Sequence, residues 1–126
     1  MKGVIIEKIG PVHSDERGSI TDVLNDNLVH VGLIKTKKGN IRGNHYHLKM
    51  AQWAYVLEGK FEVFVADFQK IENKERIILN AGERIKFSPG LVHAFRAIED
   101  STMIDMTQSE GKYAYDEDVF KCVILS

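Results

Sequence analysis

Short apolar or alternating runs recur along the chain with turn residues between them. They read "GVIIEKI", "SITDVL", "HVGLIKT", "NHYHL", "QWAYVLEG", "KFEVFVADF", "ERIILN", "RIKFS", "HAFRAIE" and "TMIDMTQ". In "KFEVFV", Phe61, Val63 and Val65 alternate with Lys60 and Glu62, the period of a half-buried strand. The intervening "KKGN", "LEGK", "NAGE" and "SPGL" are turn chemistry, and Pro11 and Pro89 both fall at run edges. Many short strands at this spacing predict a sandwich or barrel. The expectation is one all-β domain over residues 1–126, a small antiparallel β-barrel or jelly roll. "FQKIENKER" reads as a solvated hairpin tip, and "YAYDEDVFKCVILS" as a short helical turn leading into a last strand. There is no internal repeat, linker or low-complexity tract.

Composition narrows the class. A chain of 126 residues with 44% hydrophobic and 28% charged residues has ordinary globular composition and the length of one domain. The formal net charge of -1 offers no basic excess for a phosphate backbone, which argues against general nucleic-acid binding. No run approaches the roughly 20 apolar residues of a membrane helix, and "MKGVIIEKIGPVHS" lacks the core of a secretory signal. A cytoplasmic protein is the expectation. The single cysteine, Cys122, forms no internal disulfide and reads as a small buried hydrophobe.

The candidate chemistry lies in "RGNHYHLKMAQWAYVLEG", residues 42 to 59. On a strand, residues two apart share a face, so His45 and His47 project together while Tyr46 points the other way. Gln52 follows His47 after four residues, and Gly59 follows Gln52 after six. Farther on, Gly82 leads to the Pro89-Gly90 turn, and His93 arrives three residues after Gly90.

The pattern G-x5-H-x-H-x4-(E/Q)-x6-G followed by G-x6-P-G-x2-H resembles the paired motifs of the cupin superfamily. That resemblance implies a small β-barrel with His45, His47 and His93 aimed into its mouth. "DERGSI", residues 15 to 20, together with "RGNHYH" is similar to the sugar-nucleotide branch. The dTDP-4-keto-6-deoxyglucose 3,4-ketoisomerases are the nearer likeness and the dTDP-4-dehydrorhamnose 3,5-epimerases the more distant. The ketoisomerases share D-x-R-G-S, R-G-x-H-x-H, a glutamine four residues beyond the second histidine, a histidine after a proline turn, and an echo of "YDE" at residues 115 to 117. They carry a tyrosine in the strand before the histidine motif, where this chain has Gly32 or Leu33. The resemblance further implies a homodimer, often with exchanged N-terminal strands, and a place in surface polysaccharide biosynthesis.

Cupin metal sites usually join three histidines to a glutamate. With Gln52 at that position a divalent ion keeps two positive charges instead of one in a desolvated cavity, and an amide is a poorer donor than a carboxylate. No metal is therefore the favoured expectation, with Gln52 hydrogen-bonding a neighbouring histidine. Isomerisation beside a ketone needs a base, a group that holds the enolate oxygen, and a proton source. His45 and His47 are the candidate acid/base pair, one abstracting and the other holding the oxyanion. Arg17 and Arg42 are the candidates for the pyrophosphate, each followed by a glycine, Gly18 and Gly43, that allows a bulge. Gln52 and His93 complete the substrate-binding set. His13 reads as a loop histidine and His30 as a strand-edge one, while Trp53, Tyr55, Phe61, Phe64 and Phe87 read as barrel core. One alternative is a metal-dependent oxygenase or isomerase holding iron, manganese, nickel or zinc on His45, His47, Gln52 and His93. Another is a sugar-binding cupin without catalysis.

Overall fold

The structure, a computed structural model, describes residues 1–108 and 115–126. The runs fold as β1 (Val4–Lys8), β2 (His13–Asp15), β3 (Gly18–Ile20), β4 (Leu28–Thr36), β5 (Ile41–Tyr46) and β6 (Gln52–Glu58). They continue as β7 (Lys60–Asp67), β8 (Glu75–Asn80), β9 (Glu83–Phe87), β10 (Leu91–Ala97) and β11 (Ser101–Gln108). A 3-10 turn at Tyr115–Asp118 and the short β12 (Phe120–Lys121) follow, as the C-terminal sequence pattern predicts; the first two residues of that segment, 113 and 114, lie outside the described residues. Two five-stranded antiparallel sheets, ordered β1-β9-β6-β11-β4 and β12-β5-β10-β7-β8, face each other as a jelly roll. The β2–β3 hairpin forms a separate two-stranded sheet outside both. Among the described residues, no helix is long and apolar enough to cross a membrane.

Strand parity decides what fills the sandwich. Phe61, Val63 and Val65 on β7 are fully buried and meet Ala54, Val56, Ile85, Phe87 and Met103 from the facing sheet. Their neighbours Lys60, Glu62 and Phe64 point outward and keep partial exposure. Gly59 joins β6 to β7 at φ +86°, and a Cβ there would lie 2.1 Å from Ser101 Oγ, so both the turn and the close approach require glycine.

Two of the five aromatic residues expected in the core, Phe61 and Phe87, occupy the barrel interior. The other three lie on the outer faces instead, Trp53 and Tyr55 buried and Phe64 partly buried. Ala54 and Val56 point inward, so Trp53 and Tyr55 point outward, where Ile9, Val23 and Leu24 cover them. Phe64 lies on the outer face of the second sheet, in a cluster with Ala66, Val92, Ala94 and Ile124 from the C-terminal segment. A strand covered on both sides reads as a continuous apolar run, which is why "QWAYV" shows no alternation. Cys122 is only half-buried beside this second cluster.

Phe95 packs edge-on against Phe61 and Phe87 beneath the histidines described below. Phe95→Ala is expected to lower unfolding free energy by about 3–5 kcal/mol, measured by urea titration.

Candidate functional site

β5 carries the first two histidines and contains an irregularity that sets their surroundings. His45 pairs with His93, but Gly43 pairs with Ala94 and Arg42 with Phe95, so Asn44 is an extra residue bulged out of the ladder. Asn44 takes φ +59° and Gly43 φ +91°, and a Cβ on Gly43 would lie 2.6 Å from the His93 carbonyl oxygen. Asn44 in turn anchors the C-terminal tail, its Oδ1 accepting from the Ile124 and Leu125 N–H groups. Simple alternation would place Arg42 on the face opposite His45. The bulge resets the parity, so Arg42 takes the side of its ladder partner Phe95 while remaining exposed. Its Nε donates to Thr36 Oγ1 at 3.2 Å and its Nη2 to the Lys35 carbonyl at 2.9 Å.

The three histidines meet between the sheets. The His45 ring lies 4.7 Å from that of His93 in an edge-on arrangement and 5.4 Å from that of His47, with 5.8 Å between His47 and His93. One ring nitrogen from each lies within 4.8 Å of the others. Phe87 stacks on His93 at 4.5 Å and fixes its plane. His93 Nδ1 donates to the Leu91 carbonyl at 3.1 Å, which leaves the lone pair on Nε2, a buried atom without a hydrogen-bond partner. Tyr46 points away, as expected, and stacks between Phe68 and Phe120.

His47 is 3% exposed and held from both sides. Its Nδ1 lies 2.6 Å from the Asp118 carbonyl oxygen and its Nε2 2.7 Å from Gln52 Oε1. Gln52 in turn bonds the Asp105 carboxylate, to which only its amide N–H can donate, and this turns its oxygen toward His47. Both His47 nitrogens therefore face oxygen atoms, the Asp118 carbonyl on one side and the Gln52 amide on the other. The Asp118 carboxylate accepts the backbone N–H groups of Leu48, Lys49 and Met50 at 2.9, 2.8 and 3.0 Å, tying the C-terminal segment to the loop after His47.

These surroundings separate the groups electrostatically. Burial, then the charge on His47, hold His45 down to about 4, against a smaller opposing effect of its bond to the Gly43 backbone. Burial holds His93 well below the usual imidazole range, with the other two rings adding to the effect. Asp105 is raised by burial, opposed by His30, His47 and Gln52. The cluster is thus two neutral imidazoles beside a buried donor ring, which an amide joins to a buried carboxylate.

The structure brings together His45, His47, Gln52 and His93 from the sequence-derived set, whereas Arg42 is exposed and bonded to Thr36 and Lys35. Arg17 is elsewhere, on the projecting β2–β3 hairpin, with its side chain 80% exposed and its guanidinium 2.6 Å from Asp15. That bond from Arg17, with a second from His13, lowers Asp15 to about 2. Sequence reasoning missed Asp105, Thr107 and His30. A carboxylate inside "TMIDMTQ", at the same parity as Met103 and Thr107, was the available signal for the first two. His30 does lie on an edge strand, β4, on its inward face and paired in register with Thr107.

A cation on this cluster would need a lone pair from His47, whose nitrogens are both engaged, one with Gln52 and one with Asp118. Gln52 Oε1 is likewise turned to His47. The three rings nevertheless present one nitrogen each within 4.8 Å of the others, a set that could hold a metal ion once His47 gave up one of these bonds.

A jelly roll with paired histidine strands defines a class, and the family comparison agrees. The family described as Cupin matches residues 19–112, and the chain belongs to it. A search of curated protein sequences returns no match. Among solved structures, the dTDP-4-dehydrorhamnose 3,5-epimerase from Sulfolobus tokodaii is similar at 22% identity and TM-score 0.75, over 98% of this chain and 78% of that one. The sugar 3,4-ketoisomerase from Thermoanaerobacterium thermosaccharolyticum, solved with TDP, is similar at 17% identity and TM-score 0.76, over 96% of this chain and 89% of that one. A 3'-monoepimerase from Streptomyces bikiniensis, solved with dTDP-quinovose, is similar at 19% identity and TM-score 0.76, over 94% and 69%. At these identities the likeness establishes the fold.

Between about pH 4 and 6.5, the unfolded chain carries a proton on His45 that the folded chain rejects. Stability therefore falls as pH is lowered through that interval, and His93 acts in the same direction. Thermal melts from pH 7.5 to 4.5 should show this decline, and His45→Gln should flatten it.

Proposed function

We propose that this cupin is a sugar-nucleotide isomerase that moves protons beside a ketone, as a 3,4-ketoisomerase or an epimerase. The observation that carries the reading is His45, half-buried in the cavity and held down to about 4, so that it is an open proton acceptor at neutral pH. A base of such low pKa is weak on its own. The negative charge that develops on the enolate offsets the desolvation penalty as His45 takes the proton.

His47 is too enclosed to reach a substrate without giving up a bond, so its contribution is a donor field beside the developing oxyanion. His93, stacked and buried, orients His45 from the side. Arg42, exposed on β5, is the chain's own candidate for a diphosphate oxygen, through planar guanidinium donors. The TDP and dTDP-sugar bound by the solved relatives support the ligand class. In this reading no metal takes part, and the product enters surface polysaccharide biosynthesis.

A second copy of the chain completes the proposed assembly. The outer face of the first sheet continues in rows from Trp53 and Met106 to Val31, and from Tyr55 and Ile104 to Leu33. Val31 and Leu33 lie on the edge strand β4 with 60% and 62% of their surface exposed, an edge that a partner would cover. Arg17 stands on a hairpin with exposed Val12 and Ile20, placed to be delivered to such a partner. Light scattering should find a dimer, and Val31→Lys with Leu33→Lys should give a monomer; a wild-type monomer would contradict this assembly.

A second reading, the metal-dependent cupin, draws on the three ring nitrogens within 4.8 Å and requires Gln52 to release His47. Elemental analysis separates the two. The isomerase reading expects no stoichiometric metal, whereas near-equimolar metal that disappears in His93→Ala favours the alternative.

TDP should raise the melting temperature, with about 2.7 kcal/mol of apparent stabilisation at 100 times its dissociation constant. Incubation with TDP-4-keto-6-deoxyglucose in deuterated water should place deuterium beside the ketone, and His45→Gln should abolish it. No TDP response and no exchange would overturn the reading.

A further inference from the structure

We propose that Asp118 is a positioning residue of the histidine site: it commits His47 Nδ1 to a backbone acceptor, so that the ring acts through Nε2. The consequence for turnover rests on the isomerase reading above, whereas the placement of the proton does not. Asp118 is 3% exposed and has no part in the proton transfer itself, yet both of its polar ends meet the loop from β5 to β6. Its carboxylate accepts from three successive backbone N–H groups. Oδ1 takes that of Leu48 at 2.9 Å, and Oδ2 takes those of Lys49 and Met50 at 2.8 and 3.0 Å. Its carbonyl oxygen lies 2.6 Å from His47 Nδ1. One residue thus clasps four consecutive residues, 47 to 50.

The two contacts printed on the His47 ring by Asp118 and Gln52 differ in kind. An amide side chain can present either its oxygen or its nitrogen, and Gln52 shows oxygen to His47 while its nitrogen faces Asp105. A backbone carbonyl has only an acceptor to present. A lone pair on Nδ1 would face the lone pairs of that oxygen at 2.6 Å, in a place where the ring is 3% exposed. Nδ1 therefore carries a proton whether the ring is neutral or charged. The nitrogen that can change partners is Nε2, because a side chain can swing away from it and the Asp118 backbone cannot.

That backbone is fixed from both directions. On one side stands its own carboxylate. On the other, β12 begins two residues on, with Phe120 and Lys121 paired to Tyr46 and His45, and the Cys122 N–H donates to the Asn44 carbonyl. The His47 carbonyl in turn accepts from the Gly90 N–H at 2.6 Å, at the turn that leads into β10 and His93. The acceptor that holds the ring is thus tied to the strand that carries the ring.

The bland alternative is a staple that does no more than close a loop. A staple needs the carboxylate alone. Here the same residue also gives its carbonyl to a buried ring that stands 5.4 Å from His45 and 5.8 Å from His93. An imidazole that donates one N–H to a fixed acceptor has its plane and its tautomer set. In the isomerase reading, such a ring keeps Nε2 at a constant place beside the developing oxyanion, and a ring free to exchange tautomers does not.

Spectroscopy and turnover test this together. Long-range proton–nitrogen correlation on ¹⁵N-histidine protein at pH 8 should show His47 Nδ1 protonated; a bare Nδ1 would overturn the proposal. Asp118→Asn keeps the shape but sets an NH₂ group against at least one of the three N–H donors. This variant should show a population with bare Nδ1. Its rate of deuterium incorporation into TDP-4-keto-6-deoxyglucose should fall about 10- to 100-fold in kcat, with KM and the TDP melting shift little changed. A variant that melts lower but keeps both the wild-type His47 signature and the wild-type kcat would make Asp118 a loop staple and overturn its positioning role. If the variant does not fold, the wild-type spectrum still decides where the proton sits. Absence of exchange in wild type would overturn the isomerase reading and leave the proton placement to that spectrum.

Discussion

Withdrawing imidazoles from water sets the chemistry of this cavity. His93 is buried with its Nδ1 on the Leu91 carbonyl, and His45 is half-buried beside His47. Desolvation therefore holds the His45 and His93 rings uncharged. The framework around them serves that end. Phe87 stacks on one ring, Phe95 closes the space below, and the C-terminal segment covers the loop after His47 through Asp118. A neutral ring in a preorganised polar pocket accepts a proton when negative charge develops nearby, and the cost of burying it is met by folding, before any ligand arrives.

Gln52 has a physical reason to be an amide. It must accept from His47 and donate to Asp105 at once, and only a group with both functions does so. A glutamate there would place a second buried negative charge against Asp105, raising the cost of ionising either one. The residue that weakens metal binding is thus the one that connects a donor ring to a carboxylate across the interior. His47, Gln52 and Asp105 thus form an internal hydrogen-bonded relay between the two sheets.

Much of this was legible in the sequence because it is local. The i, i+2 spacing of His45 and His47, the turn glycines and the alternation in β7 depend on neighbours a few residues away. The direction of Arg42 was not legible, since one bulged residue, Asn44, reverses the parity that simple alternation implies. Trp53 and Tyr55 were read as barrel core because a strand buried on both faces hides which side is inside. Asp105 and His30 escaped for a different reason. Their contacts with each other and with Gln52 depend on β6, β11 and β4 lying side by side, a sheet order assembled from segments far apart in the chain. The sequence pattern equally could not show that Arg17 stands on a hairpin separate from the sandwich, bonded to its own neighbour Asp15.

Titrating the individual histidines by proton–carbon NMR tests the central claim most directly. The account predicts that His45 stays neutral through pH 6 and takes up its proton only near 4, with His93 unprotonated across the same range. A His45 midpoint close to the ordinary value of 6.5 would show that the cavity does not hold the ring uncharged, and would contradict the proton-transfer account.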